Sequence, residues 1–302
     1  MTKRVAIAGS SGLIGGALRR HLTARGDQVV SLVRRPARAS EERRWDPARG
    51  RLDPMALDGL DAIVNLAGVG IGDRRWNDVH KQAVEQSRIE TTDTISVALA
   101  IEHDRSGRSI RFVNGSAVGF YGDRGDEVLT EDSAAGDDFL AGVVSRWEAA
   151  TQPAQDAAVP VAIVRTGLVM ARGAGAFQPL LRLARLGLGG PLGSGREWWP
   201  YVTLVDEVRA LTHLIDHPDL TGVFNVAAPE AKRQKEIAAA IGAALRRPSV
   251  LPAPRIALRV VVGEFADSIL ASQRVTPSRL LAHGFEFEYP DLQSSVTWLV
   301  QA

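Results

Sequence analysis

The chain of 302 residues contains no cysteine, which excludes disulfides, thiolate metal sites and cysteine nucleophiles. It also lacks any apolar run near the ~20 residues that a membrane-spanning helix needs. The first apolar strand begins at residue 4, so the expectation is a cytoplasmic protein without a secretory leader. A charge of one sign is missing too. With 36 basic and 35 acidic residues the net charge is +1, so no global field recruits nucleic acid or an anionic membrane. A small molecule is the expected partner, for a monomer or a homodimer. What the chain does have is apolar mass: 45% hydrophobic residues can bury a full core in one large or two coupled domains.

Residues 5–15 read VAIAGSSGLIG, an apolar strand running through Gly9, Gly12 and Gly15 into a helix. Gly9 lets the chain turn off the strand, Gly12 lets backbone approach a pyrophosphate, and Gly15 lets the helix pack closely on the sheet. The first helical turn, Leu13, Ile14 and Gly15, then directs free N–H groups at the anion, and Ser10 and Ser11 add hydroxyl donors. A glycine triplet by itself is also ordinary turn chemistry. Here the helical stretch GALRRHLTARG and a second apolar strand, Gln28 to Val33, complete a βαβ start. At the end of that second strand an acidic residue would bind ribose hydroxyls and repel a 2′-phosphate. The chain instead places Arg34 and Arg35 there, which favours NADP(H) over NAD(H). The competing reading is a solvated basic loop, since Arg38, Arg43 and Arg44 follow.

Further along, apolar strands near 4–9, 28–33, 61–66, 110–116 and 160–165 alternate with helical segments, predicting an α/β fold with a doubly wound parallel sheet. The glycine-rich stretch Gly187–Gly195 (GLGGPLGSG) is too flexible for a core element, and residues 185–205 are expected to close over a site. The segment Gly222 to Ala227 reads as a returning strand. The expected organisation is a nucleotide-binding domain over 1–167, with 200–228 returning to it, and a smaller substrate-binding lobe from 168–199 and 229–302.

Five motifs occur in order: GSSGLIG, NLAG at Asn65 to Gly68, SAVGFYG at Ser116 to Gly122, RTG at Arg165 to Gly167, and VTLVDEV at Val202 to Val208. Together they resemble the extended short-chain dehydrogenases/reductases. WDP at Trp45 to Pro47, GLGGPLGSG, NVAAP at Asn225 to Pro229 and GEFADSILASQRVTP at Gly263 to Pro277 narrow the resemblance to an atypical, epimerase-family branch. The resemblance implies a Rossmann-type lobe binding NADP(H), with Asp61 near the adenine and Asn65, Leu66, Ala67 and Gly68 along the cofactor. It further implies a mixed C-terminal lobe that holds the substrate, with nucleotide sugars as the substrate class.

Catalytic members of that superfamily carry a Tyr and, four residues later, a Lys. Here the stretch reads FLAGVVSRWEAA; with Glu148 as the anchor, those positions fall on Leu140 and Val144, neither of which moves a proton. The usual serine position falls on Ala117, with Ser116 one place away. Ser116 and Tyr121, just past a strand end, are the remaining catalytic candidates. Arg165 is a candidate anion partner, or else the partner of a buried carboxylate. Trp198, Trp199 and Tyr201 are candidates for an aromatic wall over a ring or sugar, core packing being the alternative. Glu264 and Arg274 read as structural pairing. His213 and His217 share a helix face, but no zincin glutamate accompanies them and Pro218 ends the helix, so no metal is expected. NGSAVG lacks the first glycine of a nucleophile elbow. The leading expectation is an NADP(H)-dependent oxidoreductase or epimerase-like enzyme for a small polar substrate. The alternative is a non-catalytic NADP(H) sensor that presents a surface to a protein partner.

Overall fold

A computed structural model describes residues 2–301. Its centre is an eight-stranded sheet. In chain order its strands are β1 (Arg4–Ala8), β2 (Gln28–Val33), β3 (Glu42–Asp46), β4 (Arg51–Leu52), β5 (Ala62–Asn65), β6 (Arg111–Ala117), then Val161–Thr166 and Gly222–Val226. Across the sheet, Gly222–Val226 lies at one edge, followed by Val161–Thr166, β6, β5, β1, β2, β3 and β4. All neighbours are parallel except the β3–β4 pair. The inner strands are apolar on both faces because both are covered, which is why VAIA and AIVN read as continuous runs rather than alternating ones.

Alternation still decides which helix each residue meets. Val5, Ile7, Val64 and Val113 face a core shared with Leu18 and Leu22 of α1 (Leu13–Arg25) and with Leu211 and Leu214 of the helix Leu204–Asp216. Ala6, Ala8, Ile63 and Phe112 face the opposite core, with Ile95 and Leu99 of α2 (Asp78–Ser106). α2 is defined sharply at both ends. Asn77 accepts from the His80 amide at its start, and Gly107 closes it in the left-handed region.

A third core, including Met170, Phe177, Tyr201, Ile241 and Val296, fills the C-terminal lobe. The lobes are interleaved rather than appended. Tyr201–Thr203 pairs with Leu168–Met170, Trp198–Trp199 with Lys232–Arg233, and Arg274–Val275 with Val128–Leu129.

The glycine-rich stretch corrects one expectation. It is not a free cover: Leu251 and Ala253 amides donate to the Gly189 and Pro191 carbonyls at 3.1 and 2.9 Å, and the Gly193 amide returns a bond of 2.9 Å to Ala253. A Cβ on Gly190 would stand 2.0 Å from the Leu251 oxygen. The glycines serve close backbone approach within the lobe, not mobility.

Candidate functional site: a dinucleotide groove at the carboxyl edge

The groove begins where β1 turns into α1. Gly9 adopts φ +81°, and a Cβ there would lie 2.6 Å from the Leu66 oxygen; one on Gly15 would lie 2.2 Å from the Gly9 oxygen. Those two glycines are required by the packing of strand, loop and helix. Gly12 differs. A Cβ there would meet only the Gly9 oxygen, at 3.3 Å, so its open side belongs to the groove. Gly12 offers α1 no side-chain cap and the first turn holds no acid, so the amides of Leu13, Ile14 and Gly15 remain for an anion. The hydroxyls of Ser10 and Ser11 beside them make no hydrogen bond within the described residues.

At the end of β2 the two arginines part company. Arg35 is spent on Glu42 at 2.7 Å, and that guanidinium holds the Glu42 carboxyl down at about 2. Arg34 is exposed and has no ion pair among the described residues. Of these two arginines, Arg34 alone keeps its guanidinium fork free of an ion pair among the described residues.

On the other side of β1, Asn65 is wholly buried. Its amide nitrogen donates to Thr92 Oγ1 and Asn114 Oδ1, each at 2.9 Å, and its oxygen accepts from the Ala67 amide at 3.3 Å. Asn65 thus shapes the Leu66–Gly68 loop from beneath rather than touching a ligand. Trp147 joins this knot through Nε1 to Thr92 Oγ1 at 2.9 Å. Asp61 is the clearest correction. It sits at the amino end of β5, where its carboxylate accepts from the Arg4 amide at 2.7 Å, on the opposite edge of the sheet from the groove.

The residues past β6 form a buried polar chain. Ser116 Oγ donates to Glu148 at 2.6 Å, and Arg165 grips the same carboxylate through Nε and Nη2, each at 2.8 Å. Arg165 Nη1 donates to the Tyr121 oxygen at 3.0 Å, and the Tyr121 hydroxyl donates to Asn225 Oδ1 at 2.7 Å. Tyr121 is fully buried, and that burial raises its pKa. The side chains of Ser116, Tyr121 and Arg165 are thus hydrogen-bonded to one another's partners inside the protein, an arrangement that braces the fold. Glu148, an alignment anchor in the sequence, proves to be the hub.

Leu140 and Val144 lie on α3 (Phe139–Ala149), close to Gly119: a Cβ there would be 3.7 Å from Leu140 and 3.9 Å from Val144. The face that would carry a proton donor is aliphatic. Nor is there an aromatic wall. Trp199 and Tyr201 are buried in the C-terminal core, Trp199 donating to the Ile269 carbonyl at 3.2 Å. Trp198 is half-buried, but Arg233 and Arg274 lie over its ring at 4.4 and 4.7 Å. Neither Trp199, Tyr201 nor the covered ring of Trp198 offers a surface for stacking a sugar.

The loop between β5 and α2 ties the two lobes together. Trp76 packs on Phe139 at 5.4 Å and on Phe265 of the C-terminal lobe at 5.3 Å, while Lys81 pairs with Glu264. A tryptophan inside the polar run GIGDRRWND was the only sequence signal of this clasp.

The NAD-dependent epimerase/dehydratase family model matches residues 5–227, and a domain of unknown function, DUF1731, matches residues 253–299. An epimerase family protein from Mycobacterium bovis is 43% identical, covering 94% of this chain and 93% of its own. The crystal structure of the human epimerase family protein SDR39U1 with NADPH is 34% identical, with a TM-score of 0.89 over 99% of both chains. A nucleoside-diphosphate sugar epimerase from Corynebacterium glutamicum, also 34% identical, aligns over 100% of this chain and 60% of its own with a TM-score of 0.79. A glycine cradle at the head of a parallel sheet, matched in order through the returning strand, places the chain: it belongs to the NAD-dependent epimerase/dehydratase family.

Proposed function

We propose that the chain binds NADP(H) across the carboxyl edge of its sheet and acts, as an oxidoreductase or epimerase-like enzyme, on a small polar substrate of the nucleotide-sugar class. The observation that carries this reading is a set of unspent donors in one groove: the Leu13, Ile14 and Gly15 amides for a pyrophosphate, and Arg34 for a 2′-phosphate. The NADPH in the human relative supports the choice of cofactor, and the Corynebacterium relative supports the substrate class.

The bound nicotinamide supplies hydride chemistry. The chain's own part would be positioning: α1 would hold the phosphates, and the Leu66–Gly68 backbone, at the carboxyl end of β5, would lie along the nicotinamide half. With Ser116 and Tyr121 committed to structural bonds, water carries the proton. The same observation favours the second reading, a non-catalytic NADP(H) sensor that closes on the nucleotide and presents a surface to a protein partner.

Titration of the protein with NADPH and NADH, followed by nucleotide fluorescence, tests the shared core of both readings. The expected result is tighter NADPH binding, with Arg34→Glu weakening NADPH by at least about tenfold and NADH much less. Weak binding of both nucleotides overturns the proposal. Turnover of NADPH with nucleotide sugars then separates enzyme from sensor.

A further inference from the structure

The near-zero charge of the whole chain conceals a local imbalance in the C-terminal lobe. No acidic residue occurs between Asp156 and Glu197, nor between Glu236 and Glu264, whereas the second interval carries Arg246, Arg247, Arg255 and Arg259. The fold lays the two intervals side by side: Gly189 bridges to Ser249 and Leu192 to Ala253. Along that seam, and on the helix Arg255–Val262 that follows it, large apolar side chains stand in the open. Leu186, Val250, Ile256, Val260 and Val261 are each between 68% and 78% exposed. Single exposed aliphatics are ordinary on any surface, but a group of them in segments that hold arginines and no carboxylate marks a binding face.

The helix Arg255–Val262 buries none of its residues. Arg255 and Arg259, one turn apart, both pair with Asp267, at 2.6 and 2.7 Å, which ties that side to the lobe. Ile256 and Val260, also one turn apart, are left uncovered. The helix Gln178–Arg185 buries Leu181 and Ala184 and keeps Arg182 and Arg185 exposed. These two arginines, and the exposed Arg246 and Arg247, have no ion pair among the described residues. The chemistry of the face selects its occupant. The recess beside Leu183, Leu188 and Leu251 has a volume of about 40 Å³, room for about three waters, so no helix or strand seats in it. A second copy on the same face would set these arginines against their own counterparts. Nucleic acid would satisfy the arginines and leave the aliphatic side chains in water. An anionic bilayer surface takes both, the apolar tips entering the headgroup boundary while the guanidinium groups reach the phosphates. We propose that this face docks the protein on an anionic lipid surface. It shares no residue with the dinucleotide groove.

Co-sedimentation of the full chain with two kinds of vesicle tests the proposal, one of phosphatidylcholine alone and one of phosphatidylcholine mixed with phosphatidylglycerol. The mixed vesicles are expected to bind at least about tenfold more tightly, and less so as salt rises. Ile256→Ser with Val260→Ser removes apolar tips, and Arg182→Gln with Arg185→Gln removes cations. Each pair is expected to weaken mixed-vesicle binding by about tenfold or more at an unchanged melting temperature. No binding to mixed vesicles, equal binding to both compositions, or binding that neither pair weakens overturns the proposal. So does loss with the arginine pair alone, if soluble polyglutamate competes for the wild type, because the face is then a site for acidic peptides. A wild-type dimer that the serine pair converts to monomer, read by light scattering, assigns the face to a second copy and also overturns it. Should the serine pair unfold, Val261→Ser is judged in its place, with a loss of at least about threefold expected.

Discussion

Two polar regions lie along the same sheet edge, and they use their hydrogen bonds in opposite ways. In the groove at β1, β2 and β5, backbone amides, the hydroxyls of Ser10 and Ser11, and Arg34 are left unspent. Past β6 and Val161–Thr166, the chain from Ser116 through Glu148, Arg165 and Tyr121 to Asn225 leaves almost nothing to offer. Polar identity and edge position are the same in both. What separates a binding surface from a structural brace is whether the donors already have acceptors within the fold.

The sharpest way to break this contrast is Arg165→Met. The Arg165 and Glu148 side chains are only 4% and 11% exposed, so removing the cation strands a buried carboxylate and is expected to cost about 3–5 kcal/mol in urea denaturation. A loss below about 1 kcal/mol would mean that the chain is not a brace.

Glu207 probes an incomplete bond on the braced side. It is fully buried, accepts from Thr166 at 2.8 Å through one oxygen, and has no partner for the other. Burial raises its pKa to about 7. A carboxyl raised on folding stabilises the protein below its unfolded pKa and loses that contribution as pH climbs through the folded value. Stability is therefore expected to fall by about 3 kcal/mol between roughly pH 4.5 and 7 from this group alone. Glu207→Gln should flatten that slope, and an unchanged profile would refute the assignment.

On the open side, Gly12→Ala places one methyl into the groove from a residue at φ −75°, where alanine is unstrained. The melting temperature should hold while NADPH affinity falls about tenfold, equivalent to about 1.4 kcal/mol. Equal affinity would mean that no phosphate approaches Gly12. The smallest expected effect belongs to Tyr121→Phe: about 1 kcal/mol of stability and unchanged NADPH affinity. Lost turnover at unchanged stability would instead return Tyr121 to catalysis.

This contrast also explains what the sequence could and could not tell. The βαβ start, the sheet strands and the glycine cradle were legible because their causes are local: glycine at a tight turn, apolar runs between helices, a basic residue at a strand end. Arg165 and Tyr121 read as site candidates because strand-end position was visible, whereas their partners Glu148 and Asn225, far off in the chain, were not. Asp61 rested on the resemblance alone; its place just before the strand Ala62–Asn65 puts it at the amino edge, away from the groove. Trp199 and Tyr201 illustrate the reverse. Aromatics beside a glycine-rich loop suggested an exposed wall, but the glycines were there to let backbones touch, which buried the rings. Trp76 escaped notice because it sits in no recurring motif; it gains its meaning only from Phe139 and Phe265 folded against it.

The outer position of Gly222–Val226 carries a consequence for biosynthesis. Val161–Thr166 is apolar and built for the middle of a sheet, yet its free side is covered only when that later segment arrives, locked by Arg279 donating to the Val223 carbonyl. During translation the nascent chain therefore displays a bare, sticky strand for on the order of several seconds at ordinary elongation rates. A chopped message ending before codon 222 would never hide it, so its product is destined for chaperones and aggregates rather than for a smaller working nucleotide-binding domain.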